Sequence, residues 1–63
     1  MKPGYILKTD ADFDNALMFG WRIEVWQDGE LIDYGGPIEA HTNDAVKING
    51  AYFLKATCEF RIR

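Results

Sequence analysis

From Trp21 onward, apolar and polar residues alternate with a period of two, and two dipeptides break the alternation at Asp28-Gly29 and Asn49-Gly50. A two-residue type I′ turn needs positive φ at both central positions, which Gly accepts freely and Asn or Asp at modest cost. Each dipeptide therefore predicts a hairpin and sets its register. Around Asp28-Gly29 the count places Gln27 opposite Glu30, Trp26 opposite Leu31, Val25 opposite Ile32, Glu24 opposite Asp33 and Ile23 opposite Tyr34. Ile23, Val25, Ile32 and Tyr34 then share one face. Around Asn49-Gly50, Ile48 faces Ala51, Lys47 faces Tyr52 and Val46 faces Phe53, so that Val46, Ile48, Ala51 and Phe53 share a face. A slip of one residue would scramble both faces, so the sorting supports antiparallel pairing.

Residues 10–19 break the period of two. Asp10 to Phe19 reads as a short helix capped by Thr9 or Asp10, with Asp12 and Asp14 at its positive end and Gly20 closing it. Phe13 and Leu17 stand at i and i+4, with Ala16 beside them; a strand reading would instead claim Leu17-Met18-Phe19. Tyr5 to Lys8 can form a short first strand. Gly35-Gly36-Pro37 predicts a sharp bend or bulge after the first hairpin, and Ile38-Glu39-Ala40 resumes as a strand before the polar turn His41-Thr42-Asn43-Asp44. In the tail, Cys58, Phe60 and Ile62 alternate inward against Glu59, Arg61 and Arg63. The elements predict a mainly β fold: a small, strongly bent antiparallel barrel or sheet of five or six strands with one short N-terminal helix. A glycine-bent strand serving both halves would make the barrel SH3-like or Sm-like; an open sheet with the helix on one face is the alternative.

Sixty-three residues make one small β domain, 1–63, which buries only about 60% of its unfolded surface. Cys58 is the single cysteine, so no disulfide can staple it, and a lone thiol suits a reducing setting. With one Cys and one His, no structural metal or other cofactor is expected. Oligomerisation is the remaining staple, and nine aromatics within a 48% apolar chain favour it. The start Met1-Lys2-Pro3-Gly4-Tyr5 leads into no apolar leader, and nothing approaches the roughly 20 apolar residues of a membrane span, so a cytoplasmic location is expected. Charge is split. Residues 1–44 carry nine acids against Lys2, Lys8 and Arg22, a net −6, whereas residues 45–63 carry Lys47, Lys55, Arg61 and Arg63 against Glu59, a net +3.

No set of residues composes a reaction centre. Asp10, Asp12 and Asp14 match the first ligand spacings of an EF-hand loop, but Asn15 and Trp21 stand where that loop needs Gly and the bidentate Glu. Glu24 and Asp33, facing each other on the first hairpin, lack a third partner, and Arg22 on the same face can neutralise one of them. His41 has no serine to activate anywhere in the chain, and Cys58 alternates with core residues as a small hydrophobe. Gly35-Gly36 precedes Pro37 and a strand rather than a helix, so it is no phosphate loop. No catalytic residue is assigned, and an enzyme is not expected.

The candidate sites are surfaces. Trp26 and Leu31 face each other away from the apolar stripe of the first hairpin, and Tyr52 and Leu54 point off the core face of the second. Glu24 and Asp33 beside Trp26 and Leu31 would complement Arg61 and Arg63 beside Tyr52, so Trp26, Leu31, Glu24, Asp33, Tyr52, Arg61 and Arg63 compose the expected interface. The expected function is therefore that of a non-enzymatic interaction protein, a homo-oligomeric accessory protein of bacterial or bacteriophage type, binding itself and another protein. Two alternatives use charge. A nucleic-acid-binding barrel would use Lys47, Tyr52, Arg61 and Arg63 as a basic, aromatic face. An acidic phage-type inhibitor or DNA mimic would present Asp10, Asp12, Asp14, Asp28, Glu30 and Asp33 as an imitation of a phosphate backbone, whereas a small virion or scaffold component would simply assemble.

Overall fold

The computed structural model describes residues 3–63; Met1 and Lys2, read above as part of a start without an apolar leader, lie outside them. Helix α1 runs Asp10–Phe19, and five strands follow: β1 (Arg22–Gln27), β2 (Glu30–His41), β3 (Ala45–Ile48), β4 (Ala51–Leu54) and β5 (Glu59–Ile62). They form one antiparallel sheet in the order β4-β3-β2-β1-β5. The sheet does not close into a barrel, because β4 and β5 end up at opposite ends of that order. The predicted first strand is reduced to a single bridge between Ile6 and Arg61, with Gly4, Tyr5 and Leu7 bonding the backbone of β5. No helix among the described residues is long and apolar enough to cross a membrane.

Both turn dipeptides adopt the predicted backbone, with φ of 51° and 78° at Asp28-Gly29 and 53° and 77° at Asn49-Gly50. The second hairpin pairs residue for residue as the count requires, with Ala45 added opposite Leu54. Val46 and Ile48 are buried, Phe53 is half-buried, and Ala51 lies at the exposed end of the turn.

The first hairpin keeps its predicted register for only two pairs, Gln27 with Glu30 and Trp26 with Leu31. Val25 then faces Asp33 rather than Ile32, and Ile23 faces Gly36 rather than Tyr34, because β2 bulges twice by one residue. Each bulge reverses which face the following side chains occupy. Ile32 and Tyr34, expected inside with Ile23 and Val25, are exposed, and Glu24 does not meet Asp33. The second bulge restores the parity, so Gly36 and Ile38 are buried beside Ile23.

The cause lies in Asp33-Tyr34-Gly35. The Gly35 N–H donates to the Asp33 carboxylate at 2.6 Å, closing an Asx turn, and Gly35 takes a φ of 69° that favours glycine. A Cβ at Gly35 would land on the Ile23 carbonyl oxygen, so the strands can approach here only through a glycine. From the other hairpin, Asn49 Nδ2 donates to the Gly35 carbonyl at 3.0 Å and Glu39 accepts the Gly50 N–H at 2.7 Å. Beyond the double bulge, β2 pairs twice more with β1, through Gly36 and Pro37, and then with β3 through Ile38–His41.

Thr9 caps α1 and Gly20 closes it with a φ of 65°. Phe13 and Ala16 are buried against the sheet, whereas Leu17 is largely exposed rather than packed beside Phe13. The core gathers Leu7, Phe13, Ala16, Ile23, Val25, Ile38, Val46, Ile48, Phe60 and Ile62, with Trp21, Phe53 and Cys58 against it. Phe13 and Phe60 meet edge-to-face at 5.5 Å between ring centres, which fixes the helix on the sheet.

Gly35→Ala should cost at least about 3 kcal/mol, a large share of the roughly 3–9 kcal/mol available to a chain of this size. Gly50→Ala, with the same sign of φ but open space around it, should cost only about 1–2 kcal/mol. Urea melts of the two variants check this, and equal losses would contradict the bulge as the point of closest approach.

Candidate interaction surface

On the outer face of the sheet, β1 presents Arg22, Glu24 and Trp26 and β5 presents Glu59 and Arg61, with Arg63 just past its end, because alternate residues of both strands are buried. The register sets Glu24 opposite Arg61 and Trp26 opposite Glu59. Trp26 Nε1 donates to Glu24 Oε1 at 3.1 Å, Arg61 Nε and Nη2 donate to Glu59 Oε2 at 3.2 and 2.8 Å, and the Arg61 guanidinium lies 4.3 Å from the Trp26 ring centre. Polar ends and ring face are thus occupied from within the chain, leaving Trp26 half-buried. Arg63 sits 5.9 Å from the Tyr34 ring that the bulge turned outward.

Of the expected interface residues, the structure brings Glu24, Trp26, Arg61 and Arg63 onto this face, with Leu31 cross-strand from Trp26. Asp33 is occupied with the Gly35 N–H, and Tyr52 stands apart on β4. The four residues of the nucleic-acid alternative are likewise divided. Lys47 and Tyr52 pair across β3 and β4, with the ammonium 5.6 Å from the ring centre, whereas Arg61 and Arg63 belong to the opposite end of the strand order.

A cluster the sequence did not announce joins the helix to the sheet. A bulge at Glu39 turns His41, the last residue of β2 rather than part of a polar turn, toward α1. His41 Nε2 lies 2.6 Å from Asp14 Oδ1, and Lys55 Nζ lies 3.3 Å from His41 Nδ1. An ammonium can only donate, so Lys55 donates to Nδ1 and the ring's Nε2–H donates to Asp14, which assigns the tautomer from the network. Lys55 also stands 4.2 Å from the Phe13 ring centre and 3.8 Å from Asp10. Contacts spanning 27 and 14 residues leave no trace in local spacing.

Part of the charge split is matched within the molecule: Asp10 meets Lys55, Glu39 approaches Lys47 at 3.9 Å and Glu24 lies across from Arg61, so three acids of the first part of the chain stand beside cations of the second. Of the expected acidic face, contacts with Lys55 and His41 engage Asp10 and Asp14, whereas Asp28 and Glu30 stand at the turn of the first hairpin. Asp12, instead of facing solvent, is buried at the helix start. Its Oδ2 accepts the Lys8 N–H at 2.9 Å, the Thr9 N–H at 3.2 Å and the Tyr5 hydroxyl at 3.1 Å, while Thr9 Oγ1 accepts the Asp12 N–H. The Lys8 N–H, seconded by Thr9 and Tyr5 and opposed by desolvation, holds the Asp12 carboxyl below its ordinary range, and the hydrogen bond that Tyr5 donates to Asp12 raises the Tyr5 hydroxyl.

Large apolar side chains also stay exposed. Met18 is 74% and Phe19 64% exposed at the end of α1, with Phe19 stacked on Trp21, and Tyr52 is 68% and Leu54 55% exposed on β4. Ile32 and Tyr34 add to the outer side of β2. Among protein-family models, curated proteins and solved structures, none matches the chain.

The Asp12 geometry carries a pH signature. A carboxyl held below its ordinary value of about 3.9 stabilises the fold fully above that value, and the contribution is lost as pH falls through the folded-state value. Asp12→Asn should lower the melting temperature at pH 7, and the difference from the wild type should shrink as pH falls below about 3.9. A difference independent of pH would contradict the ionic origin.

A second check concerns Trp26. A double-mutant cycle between Arg61→Ala and Trp26→Leu should return a coupling of about 0.5–1 kcal/mol, and Arg61→Ala should increase quenching of Trp26 fluorescence in a Trp21→Phe background. A zero coupling would show that the guanidinium does not cover the ring.

Proposed function

We propose that this chain is a non-enzymatic interaction protein that assembles with copies of itself and binds another macromolecule through the surface so formed. The observation that carries the reading is exposed apolar surface. Met18, Phe19, Tyr52 and Leu54 remain in water, while several opposite charges already meet within the molecule. Large apolar side chains left exposed on a small domain mark contact surfaces, and burying them in a partner adds to its small core.

The balance of forces also sets the salt response. Association driven by apolar burial keeps its strength when ionic strength rises, whereas association through charged patches weakens as the Debye length shrinks. Sedimentation velocity from about 1 μM to about 500 μM, at low and at high salt, should show a mass that grows with concentration and is retained at high salt. A monomer throughout would remove the reading, and dissociation by salt would shift it back to the charged residues.

A further inference from the structure

We infer that β4 pairs edge to edge with β4 of a second copy, about a two-fold axis that passes between the two Tyr52 residues. The inference rests on the self-association proposed above and names its partner and register. At one end of the sheet, the outer edge of β5 is occupied by the backbone of Gly4, Tyr5 and Leu7. At the other end β4 has β3 on one side only, and among the described residues no strand lies on its second side. Ala51–Leu54 carries no charge, no proline and no bulge, the devices by which edge strands ordinarily avoid pairing.

The hairpin dictates which backbone groups face outward. In a two-residue type I′ hairpin the residues flanking the turn, Ile48 and Ala51, exchange both hydrogen bonds, and the pattern alternates from there. Lys47 and Tyr52 are then a non-bonded pair, Val46 and Phe53 a bonded one, and Ala45 and Leu54 again non-bonded. The bond from the Lys55 N–H to the Asp44 carbonyl, 2.8 Å, continues the same alternation. The N–H and C=O of Tyr52 and Leu54 therefore point away from β3. The Leu54 carbonyl already accepts from the Thr57 and Cys58 N–H groups at 3.3 and 3.1 Å. Left over are the Tyr52 N–H, the Tyr52 C=O and the Leu54 N–H.

That set selects the partner and the register. A two-fold axis perpendicular to the sheet keeps the outer faces of both copies on one side, which requires outward residues to face outward residues. Centred on Phe53, the pairing would set Tyr52 opposite Leu54 and ask the occupied Leu54 carbonyl for another bond. Centred on Tyr52, each Tyr52 N–H meets the other copy's Tyr52 C=O, and each Leu54 N–H meets the other copy's Gly50 C=O. The free donors and acceptors of the edge are thus complementary to themselves, as an isologous contact needs. The two Tyr52 rings become direct neighbours on the outer face, flanked by both Leu54 side chains. Edges this short bury about 600–800 Å² in total, below the roughly 1,200–2,000 Å² of stable dimers, so the pairing is weak and concentration-dependent.

Three measurements test it on the full chain. In concentration-dependent amide spectra, Tyr52 and Leu54 should show the largest shifts of the β4 amides, because their N–H groups gain partners. Tyr52→Lys, an exposed substitution that sets like charges face to face at the axis, should weaken association about tenfold or more while leaving the circular dichroism of the fold unchanged. In a Cys58→Ser background, Tyr52→Cys should oxidise to a disulfide-linked dimer, since directly opposed, hydrogen-bonded residues lie about 5.5 Å apart at Cα. Leu54→Cys in the same background should not. Self-association that persists in Tyr52→Lys, without cross-linking of Tyr52→Cys, would overturn the β4 pairing and leave the self-association reading standing. A wild-type chain that is monomeric at every concentration would overturn both.

Discussion

The close approach of β2 to β1 at Gly35 is the constraint around which the rest of the molecule is arranged. With the Ile23 carbonyl where a Cβ would stand, the second bulge needs this glycine, and the Asp33 side chain and Asn49 amide hold it from both sides. The first bulge turns Ile32 and Tyr34 out of the core, and the second returns Gly36 and Ile38 to it. Without the pair, β2 could not serve β1 with one half and β3 with the other, and the two hairpins would have no common core. Asn49 couples the parts directly, supplying a left-handed residue to its own turn and an amide to the other hairpin's bulge.

The way charge is spent follows from that arrangement. Linking the hairpins through β2 places α1 over the far end of the sheet, where Asp10 and Asp14 meet Lys55 and His41. Pairing β5 with β1 brings Arg61 beside Glu24 and over Trp26. Partly exposed pairs of this kind contribute little stability each, typically under about 1 kcal/mol. Their larger consequence is for recognition. Charges already matched inside the molecule offer less to a partner, while apolar side chains such as Met18 and Tyr52 remain exposed.

Much of the architecture was legible locally because its causes are local. The capping box of Thr9 and Asp12, the left-handed Gly20 and both type I′ turns depend on a few neighbouring residues and stand where the chain announces them. The register of the second hairpin was equally legible, since nothing but its turn and alternation governs it. The first hairpin departed after two pairs. Asp33-Tyr34-Gly35 carries an Asx turn and a left-handed glycine, signals that predict a bend nearby but not that a neighbouring strand will demand two extra residues.

For the candidate surface the division is sharper. The sequence alone determined which side chains leave the core: Tyr52 and Leu54 by alternation from the Asn49 turn, and Glu24, Trp26, Arg61 and Arg63 by the alternation of β1 and β5. It also determined that a short chain with one cysteine must find its stability in packing. Tertiary structure alone decided which of these residues meet. The order β4-β3-β2-β1-β5 separates Tyr52 from Arg61, covers Trp26 with an arginine from the far end of the chain, and gathers His41, Asp14 and Lys55. Alternation is a property of one strand and its turn, whereas neighbourhood depends on strand order and on a steric contact between Gly35 and Ile23, residues 12 positions apart in the chain.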